Sequence, residues 1–268
     1  MKFALVLRGI SYLENYEHKY GIPKYTIDFR DTSESIYNNI INPLRELGHE
    51  VDIFFNTYHN DFENELMDIY KPKGTLFKNY TPIPLGLAQT IIGEPMLIDH
   101  HLECIQLYEN YEKDNGFKYD NIIITRFDLY YYKKFTEVGI DTDVFNYTFW
   151  HIARPPNAPT IFSSEDNFVC YPRNKTELFK TCLYEMKQDK QSTHLSGKYL
   201  LQKGEKIKYL FGEKGDGAYD YPFYKFGRHL YGAVKEFNNI EDSLRIPMNR
   251  IYHSIEEQQN PSPIYVQW

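Results

Sequence analysis

Two charged residues follow a run of isoleucines near the middle of the chain. In residues 119–132, YDNIIITRFDLYYY, Arg126 and Asp128 come soon after Ile122, Ile123 and Ile124. Successive β-branched residues predict a buried strand, and α/β sheets bind ligands at the carboxyl ends of such strands. A carboxylate there can hold a divalent cation, and either a cation or an arginine can neutralise a diphosphate. The segment therefore predicts a diphosphate site; the alternative is a strand-end ion pair between Arg126 and an acidic neighbour.

Two other motifs resemble ligand-binding sequences but lack a feature that such sites need. A literal Asp-x-Asp occurs at Asp141 and Asp143, away from any predicted strand end, and is predicted to form a turn or a helix cap. The loop 212–217, GEKGDG, lacks the Gly-Lys-Ser/Thr ending of a P-loop. We predict a simple turn there, with a lid over a ligand as the alternative.

A third candidate is a group of metal-ligating residue types in residues 99–104, DHHLEC. His100 and Cys104 stand four positions apart, which is one turn of a helix. A zinc site normally draws a second pair of ligands with matching spacing, and the sequence offers no such pair. We therefore do not expect a zinc site here.

Alternating predicted strands and helices carry these motifs. Apolar periodicity predicts strands at 3–7, 51–55, 121–126, 146–152, 167–171 and 206–211, and helices at 36–47, 61–70, 87–113 and 175–187. Gly48 is expected to end the first helix, Pro95 to kink or split the third, and residues 71–86 to form a loop. Strand, helix and strand in succession predict an α/β fold with a mostly parallel sheet flanked by helices. No linker divides the chain, so a single compact domain over 1–268 is expected.

The composition excludes several classes of protein. A net charge of −7 argues against a nucleic-acid partner, because that affinity comes from clustered Lys and Arg. Three cysteines without a CxxC spacing form no disulfide framework, so reduced thiols in a cytoplasmic location are expected. The amino-terminal apolar run of about six residues is too short for a signal peptide or a transmembrane segment. The 25 Tyr and 18 Phe suit stacking on sugars, or reflect a compositional bias.

Residues 111–132, YEKDNGFKYDNIIITRFDLYYY, resemble a pattern found in GT-A glycosyltransferases of bacteria and large DNA viruses. In that pattern a helix ending in YE leads to YD, an apolar run and R-x-D. The first strand ending in Arg8-Gly9, the segment 56–58 (NTY) and the segment 164–167 (SEDN) are also similar. The resemblance covers about the first 175 residues at scattered points, and small glycosyltransferases of chlorella-type viruses are the most similar group.

The resemblance implies a GT-A-like, Rossmann-like fold and a transfer of sugar from a nucleotide-diphosphate donor to a glycan hydroxyl. A UDP-sugar is expected, UDP-xylose being one option, in viral capsid or surface glycan synthesis within the host cytoplasm. Residues 1–130 would bind the nucleotide-sugar and residues 131–268 the acceptor. The residues implied to bind the donor are Arg8, Gly9, Asn56, Thr57, Tyr58, Arg126 and Asp128.

The family resemblance also implies the chemistry. Asp166 is expected to accept the proton of the attacking hydroxyl, with Glu165 as the alternate base. The alternative is that both residues belong to a solvated acidic loop without a catalytic role. Asp128 and the late His253 would hold Mn²⁺ or Mg²⁺. The usual family signature is Asp-x-Asp, and here Arg126 replaces the first Asp. Two arrangements are therefore expected: either Asp128 holds the metal ion alone, or Arg126 replaces part of the role of the metal.

Two other functions fit the sequence. A glycoside hydrolase would use two of the many carboxylates as acid and base and would need no nucleotide. A noncatalytic carbohydrate-binding protein would use tyrosine stacking, but it gives no reason for Arg-x-Asp at the end of a buried strand.

Overall fold

The structure, a computed structural model, describes residues 1–16, 25–79, 93–153, 161–211, 223–226 and 264–266. The strands are β1 Lys2–Arg8, β2 Tyr12–Tyr16, β3 Tyr25–Asp28, β4 Glu50–Tyr58, β5 Gly74–Lys78, β6 Asn121–Arg126, β7 Leu129–Tyr131, β8 Phe145–Tyr147, β9 Trp150–Ala153, β10 Ile161–Ser164, β11 Phe168–Pro172, β12 Ile207–Tyr209, β13 Tyr224–Phe226 and β14 Ile264–Val266. The α-helices are α1 Arg30–Ile36, α2 Asn42–Glu46, α3 Glu63–Tyr70, α4 Gly93–Asn115, α5 Thr176–Gln188 and α6 Ser196–Gln202. A π-helical turn, Tyr37–Ile41, joins α1 to α2.

Eight strands form one sheet in the order β14-β12-β8-β11-β6-β1-β4-β5. Strands β1, β4, β5, β6, β8 and β12 run in one direction, and β11 and β14 run against them. Strands from both halves of the chain therefore share one sheet. The predicted α/β class, with a mostly parallel sheet flanked by helices, is confirmed.

Helices cover both faces of the sheet, and each face has its own apolar cluster. On one face, Phe3, Leu5 and Leu7 of β1 pack with residues of α1, α2 and α3. On the other, Ala4 and Val6 pack with residues of α4, α5 and α6. Because side chains alternate between the faces of a strand, the continuous apolar run of β1 is explained by burial on both sides.

Most of the predicted elements are confirmed, and three predictions are wrong. Residues 71–86 are not a simple loop, because β5 pairs in parallel with β4 there. Pro95 does not split the helix, because α4 is continuous from Gly93 to Asn115; residues 87–92 of the predicted helix lie outside the described residues. The predicted strand 146–152 is two strands, β8 and β9, in different sheets. Gly48 does end the helix, with a φ of 78° that favours glycine.

Within the described residues, the structure contains no helix long and apolar enough to cross a membrane. The predicted turn at Asp141 and Asp143 is confirmed, since the Asp143 backbone N–H donates to Asp141 Oδ1 at 3.0 Å. The loop 212–217 and His253 lie outside the described residues.

Candidate functional site

Three polar residues form a row at the carboxyl ends of adjacent parallel strands. Arg8 of β1 is in register with Asn56 of β4 on one side and with Arg126 of β6 on the other. Arg8 follows Ala4 and Val6 at two-residue spacing, which directs it to the face covered by α4 and α5. The parallel register therefore brings together three of the residues predicted to bind a donor.

Arg126 and Asp128 form a bidentate ion pair. Arg126 Nε donates to Asp128 Oδ1 at 2.7 Å, and Nη2 donates to Oδ2 at 2.7 Å. The Asp128 side chain is 5% exposed and that of Arg126 is 28% exposed. The sequence left open a diphosphate site or a strand-end ion pair, and the structure shows that the ion pair forms between the two candidate residues themselves. Arg126 Nη1 also donates to Asn167 Oδ1 at 3.3 Å.

This pair affects the predicted metal site. A divalent cation needs carboxylate oxygens as ligands, and both oxygens of Asp128 accept hydrogen bonds from Arg126. The guanidinium also places a positive charge where the metal would sit. The arrangement of Asp128 does not fit a resident cation, and Mn²⁺ or Mg²⁺ stays a prediction that requires the pair to open.

Arg8 is a buried cation beside Asp166. The residue is 2% exposed, its Nη2 donates to the Asp166 carbonyl at 2.5 Å, and the same atom lies 3.8 Å from Asp166 Oδ2. Arg8 Nε is buried without an acceptor among the described residues. Burial lowers the pKa of Arg8, partly opposed by Asp166. Because a buried N–H without an acceptor costs free energy, this strand end favours an additional acceptor group.

The segment 56–58, predicted to line the donor, packs against α4 and the loop after β1. Asn56 Nδ2 donates to the His100 carbonyl at 3.0 Å, and the Thr57 hydroxyl donates to Ser11 at 2.9 Å. Asn56 and Thr57 are fully buried and Tyr58 is half-buried. Asn56 and Thr57 therefore connect the end of β4 to α4 and to the loop after β1 through buried hydrogen bonds. Direct contact of this segment with a donor stays a prediction.

Gly9 turns the chain at the end of β1. Its φ of 88° lies in the left-handed region, which glycine adopts without strain, and its N–H donates to the Asn56 carbonyl at 3.0 Å. A Cβ at this position would meet no atom within 4 Å. The backbone angle, rather than lack of space, therefore requires glycine here.

Two residues from a later part of the chain, Thr193 and His194, contact the Asp166 carboxylate. The Thr193 hydroxyl donates to Asp166 Oδ2 at 2.6 Å, and His194 Nδ1 lies 3.5 Å from Oδ1. Burial raises the pKa of Asp166, but His194, Arg8, His101 and the Thr193 hydrogen bond together hold it well below its usual value. Asp166 is therefore a fixed, buried anion, which makes it a weak base.

Thr193 and His194 were missed by sequence reasoning. They lie in a 3-10 turn, Thr193–Leu195, whose N-cap Ser192 accepts the His194 backbone N–H. Ser and Thr in a polar segment predict a turn, but nothing local indicates which carboxylate the turn will meet. The alternate base, Glu165, accepts a hydrogen bond from Asn167 and so borders the Arg126 pair.

Glu165, Asp166 and His194 bring their ligand atoms within 4.8 Å of one another, a spacing that a metal ion could bridge. The positive charge of Arg8 beside Asp166 opposes a second cation there. The spacing alone therefore does not make this group a metal site.

The histidines of α4, His100 and His101, are buried and hydrogen-bonded. His100 Nε2 lies 2.8 Å from the Tyr58 hydroxyl, and His101 Nδ1 lies 2.9 Å from the Leu97 carbonyl. Burial, together with Lys78, lowers the pKa of His100 to about 4. Burial, together with Arg8, lowers that of His101 to about 3. Cys104 is buried, and its Sγ faces Asn56 Nδ2 at 3.7 Å.

Comparison of the chain with models of known protein families gives no match, and comparison with curated proteins gives none either.

The buried histidines predict a loss of stability in mild acid. Each has a folded-state pKa below the unfolded value of about 6.5, so the unfolded state binds more protons as the pH falls. The contribution of each histidine to the free energy of unfolding is therefore fully present above about pH 6.5. Below that pH it falls by about 1.4 kcal/mol per pH unit for each histidine, towards pH 4. Urea unfolding of His101→Gln from pH 7 to 4.5 should give a shallower dependence than the unsubstituted protein.

His59→Gln provides the matched control, because the His59 side chain is 55% exposed. Its stability should follow the same pH dependence as the unsubstituted protein. Equal slopes for all three proteins would contradict the assignment of the acid sensitivity to the α4 histidines.

Proposed function

We propose that this protein is a glycosyltransferase that moves a sugar from a nucleotide-diphosphate donor, a UDP-sugar, to a glycan hydroxyl. One observation carries the proposal: two arginines, Arg8 and Arg126, lie in register on adjacent parallel strands at the carboxyl edge of the sheet. That edge is where α/β folds bind phosphate-containing ligands. The fixed anion Asp166 lies beside Arg8.

In the proposed reaction, Arg126 binds the donor diphosphate. Asp128 holds the guanidinium through two hydrogen bonds of 2.7 Å, which orients Arg126 before the donor arrives. The Arg126 side chain is 28% exposed, so the oriented guanidinium can face phosphate oxygens. Negative charge grows on the diphosphate as the sugar leaves, and a preoriented cation stabilises that charge.

Asp166 supplies the opposite charge. The sugar develops positive, oxocarbenium-like character as the glycosidic bond to the diphosphate breaks. A carboxylate that is buried and held ionised stabilises such a cation without rearrangement.

Several parts of this proposal rest on the sequence resemblance, of which residues 111–132 are the main segment. These parts are the GT-A-like topology, the division near residue 130, a viral glycan as acceptor, UDP-xylose as donor and a host-cytoplasmic location. The described sheet, mostly parallel and covered by helices on both faces, is compatible with that topology.

Donor binding without metal is the direct test. A ligand that binds only the folded state raises stability by about 2.7 kcal/mol at 100 times its dissociation constant. We expect UDP and UDP-sugars to raise the melting temperature in EDTA, because Arg126 and Arg8 supply the positive charge, and we expect uridine to give no such shift. A thermal-shift screen of nucleotide sugars with EDTA, Mn²⁺ or Mg²⁺ measures this.

Three outcomes of the screen would change the proposal. Stabilisation that appears only with Mn²⁺ or Mg²⁺ would mean that Asp128 leaves Arg126 to bind the metal. Absence of any shift, together with hydrolysis of a glycoside, would favour the glycoside hydrolase; absence of a shift, transfer and hydrolysis would favour a carbohydrate-binding protein.

A further inference from the structure

His194 borders the buried carboxylate with one edge of its ring and is about half exposed, at 46%. Its Nδ1 lies 3.3 Å from the Ser164 carbonyl and 3.5 Å from Asp166 Oδ1. The turn Thr193–Leu195 supports it, because Ser192 accepts the His194 backbone N–H and Thr193 donates to Asp166. His194 therefore has Nδ1 fixed near Asp166 while 46% of its side chain is exposed.

The neighbours of Nδ1 decide which nitrogen carries the proton. A carbonyl oxygen can only accept a hydrogen bond, and Asp166 is ionised, so it too can only accept. Nδ1 must therefore be the donor, and in the neutral ring the proton lies on Nδ1. The lone pair is then on Nε2, on the opposite edge of the imidazole.

We propose that His194 Nε2 accepts the proton of the attacking acceptor hydroxyl, and that Asp166 is a positioning residue for His194. This inference rests on the proposed glycosyltransferase function. It replaces Asp166 as the base, and it specifies the acceptor as a compound with a free hydroxyl.

The acceptor O–H bond breaks and its proton passes to Nε2, while the acceptor oxygen forms a bond to the anomeric carbon of the donor. The bond from that carbon to the diphosphate oxygen breaks, and its electron pair leaves with the diphosphate. His194 becomes an imidazolium, which the carboxylate of Asp166 stabilises.

Asp166 is poorly suited to take the proton itself. It is almost fully buried, its Oδ2 already accepts from Thr193, and Arg8 lies 3.8 Å from the same oxygen. With its side chain only 9% exposed, Asp166 gives a glycan hydroxyl little access to Oδ1. The half-exposed ring of His194 offers proton acceptance without opening the buried pocket.

The test compares His194→Ala with His59→Ala, a substitution of another exposed histidine. We expect kcat for transfer to fall about 10²- to 10⁴-fold in His194→Ala, as for loss of a general base. The donor KM and the UDP-induced thermal shift should stay unchanged, and added imidazole should restore part of kcat. His59→Ala should transfer at the unsubstituted rate, and the product should carry the inverted anomeric configuration.

Thr193→Val gives a second, milder measurement, because it removes one hydrogen bond to Asp166 and leaves the imidazole in place. We expect a smaller loss of kcat that imidazole does not restore. Full kcat in His194→Ala, or a product of retained configuration, would overturn the role of His194 while leaving the transferase function standing. A protein that neither binds UDP nor transfers sugar would overturn both.

Discussion

Arg126→Gln is expected to lower the rate of sugar transfer by about 10³-fold, the scale seen when a preoriented group that stabilises leaving-group charge is removed. The glutamine amide can still donate one hydrogen bond to Asp128, but it carries no charge for the diphosphate. The UDP-induced thermal shift should disappear with the activity. Transfer kinetics and thermal shift in EDTA measure both effects.

Loss of stability must be separated from loss of chemistry in this experiment. Removing Arg126 leaves the buried Asp128 without its cation, at a cost of about 1–3 kcal/mol for this partly exposed pair. The double variant Arg126→Gln/Asp128→Asn avoids the unpaired charge and should regain stability without regaining activity. Activity in the double variant would contradict a direct role of Arg126 on the donor.

The chain contains a matched control for this pair. Arg30 binds Asp28 through the same type of fork, with Nε 2.8 Å from Oδ1 and Nη2 2.5 Å from Oδ2. This second fork lies where β3 leads into α1, with the Arg30 side chain 37% exposed. Arg30→Gln should leave transfer and UDP binding unchanged, so an equal loss in both variants would indicate a general effect of charge.

Gly197→Ala is expected to cause the largest loss of stability, about 3 kcal/mol or more. A Cβ at Gly197 would lie 1.9 Å from Ser164 Oγ and 2.8 Å from the Tyr209 hydroxyl. Either the Ser164 hydroxyl would have to rotate, which breaks the buried Ser164–Tyr209 hydrogen bond of 2.9 Å, or helix α6 would have to move away. Overpacking costs about 1–3 kcal/mol, and an unsatisfied buried hydroxyl adds about 1–3 kcal/mol. Urea denaturation measures the sum.

The same substitution should also affect the candidate site. Gly197 lets α6 approach Ser164, and the turn that precedes α6 carries Thr193 and His194 to Asp166. A shift of α6 or of Ser164, whose carbonyl lies 3.3 Å from His194 Nδ1, would displace His194, so kcat should fall even in the folded fraction. The double variant Ser164→Gly/Gly197→Ala removes the closest clash and should recover much of the stability. No recovery would contradict the proposed contact.

The sequence by itself determined the sheet core and one side of the site. Buried strands such as β1 and β6 are apolar in succession because both faces are covered, and that pattern is local. Arg126 and Asp128 stand two residues apart at the end of such a strand, so their proximity could also be predicted. Strand β5 escaped prediction because its side chains are only half-buried and its stability comes from pairing with β4.

Only the tertiary structure decided how the charges of the site are used. In the folded chain Arg126 donates hydrogen bonds to both carboxylate oxygens of Asp128, so these oxygens are not arranged to bind a metal ion. The tertiary structure also brought Thr193 and His194 to Asp166 across a separation of more than 25 residues, through an approach that depends on the missing side chain of Gly197. Residue types and spacing report which groups are available, but hydrogen bonds between distant segments depend on packing, which no local pattern records.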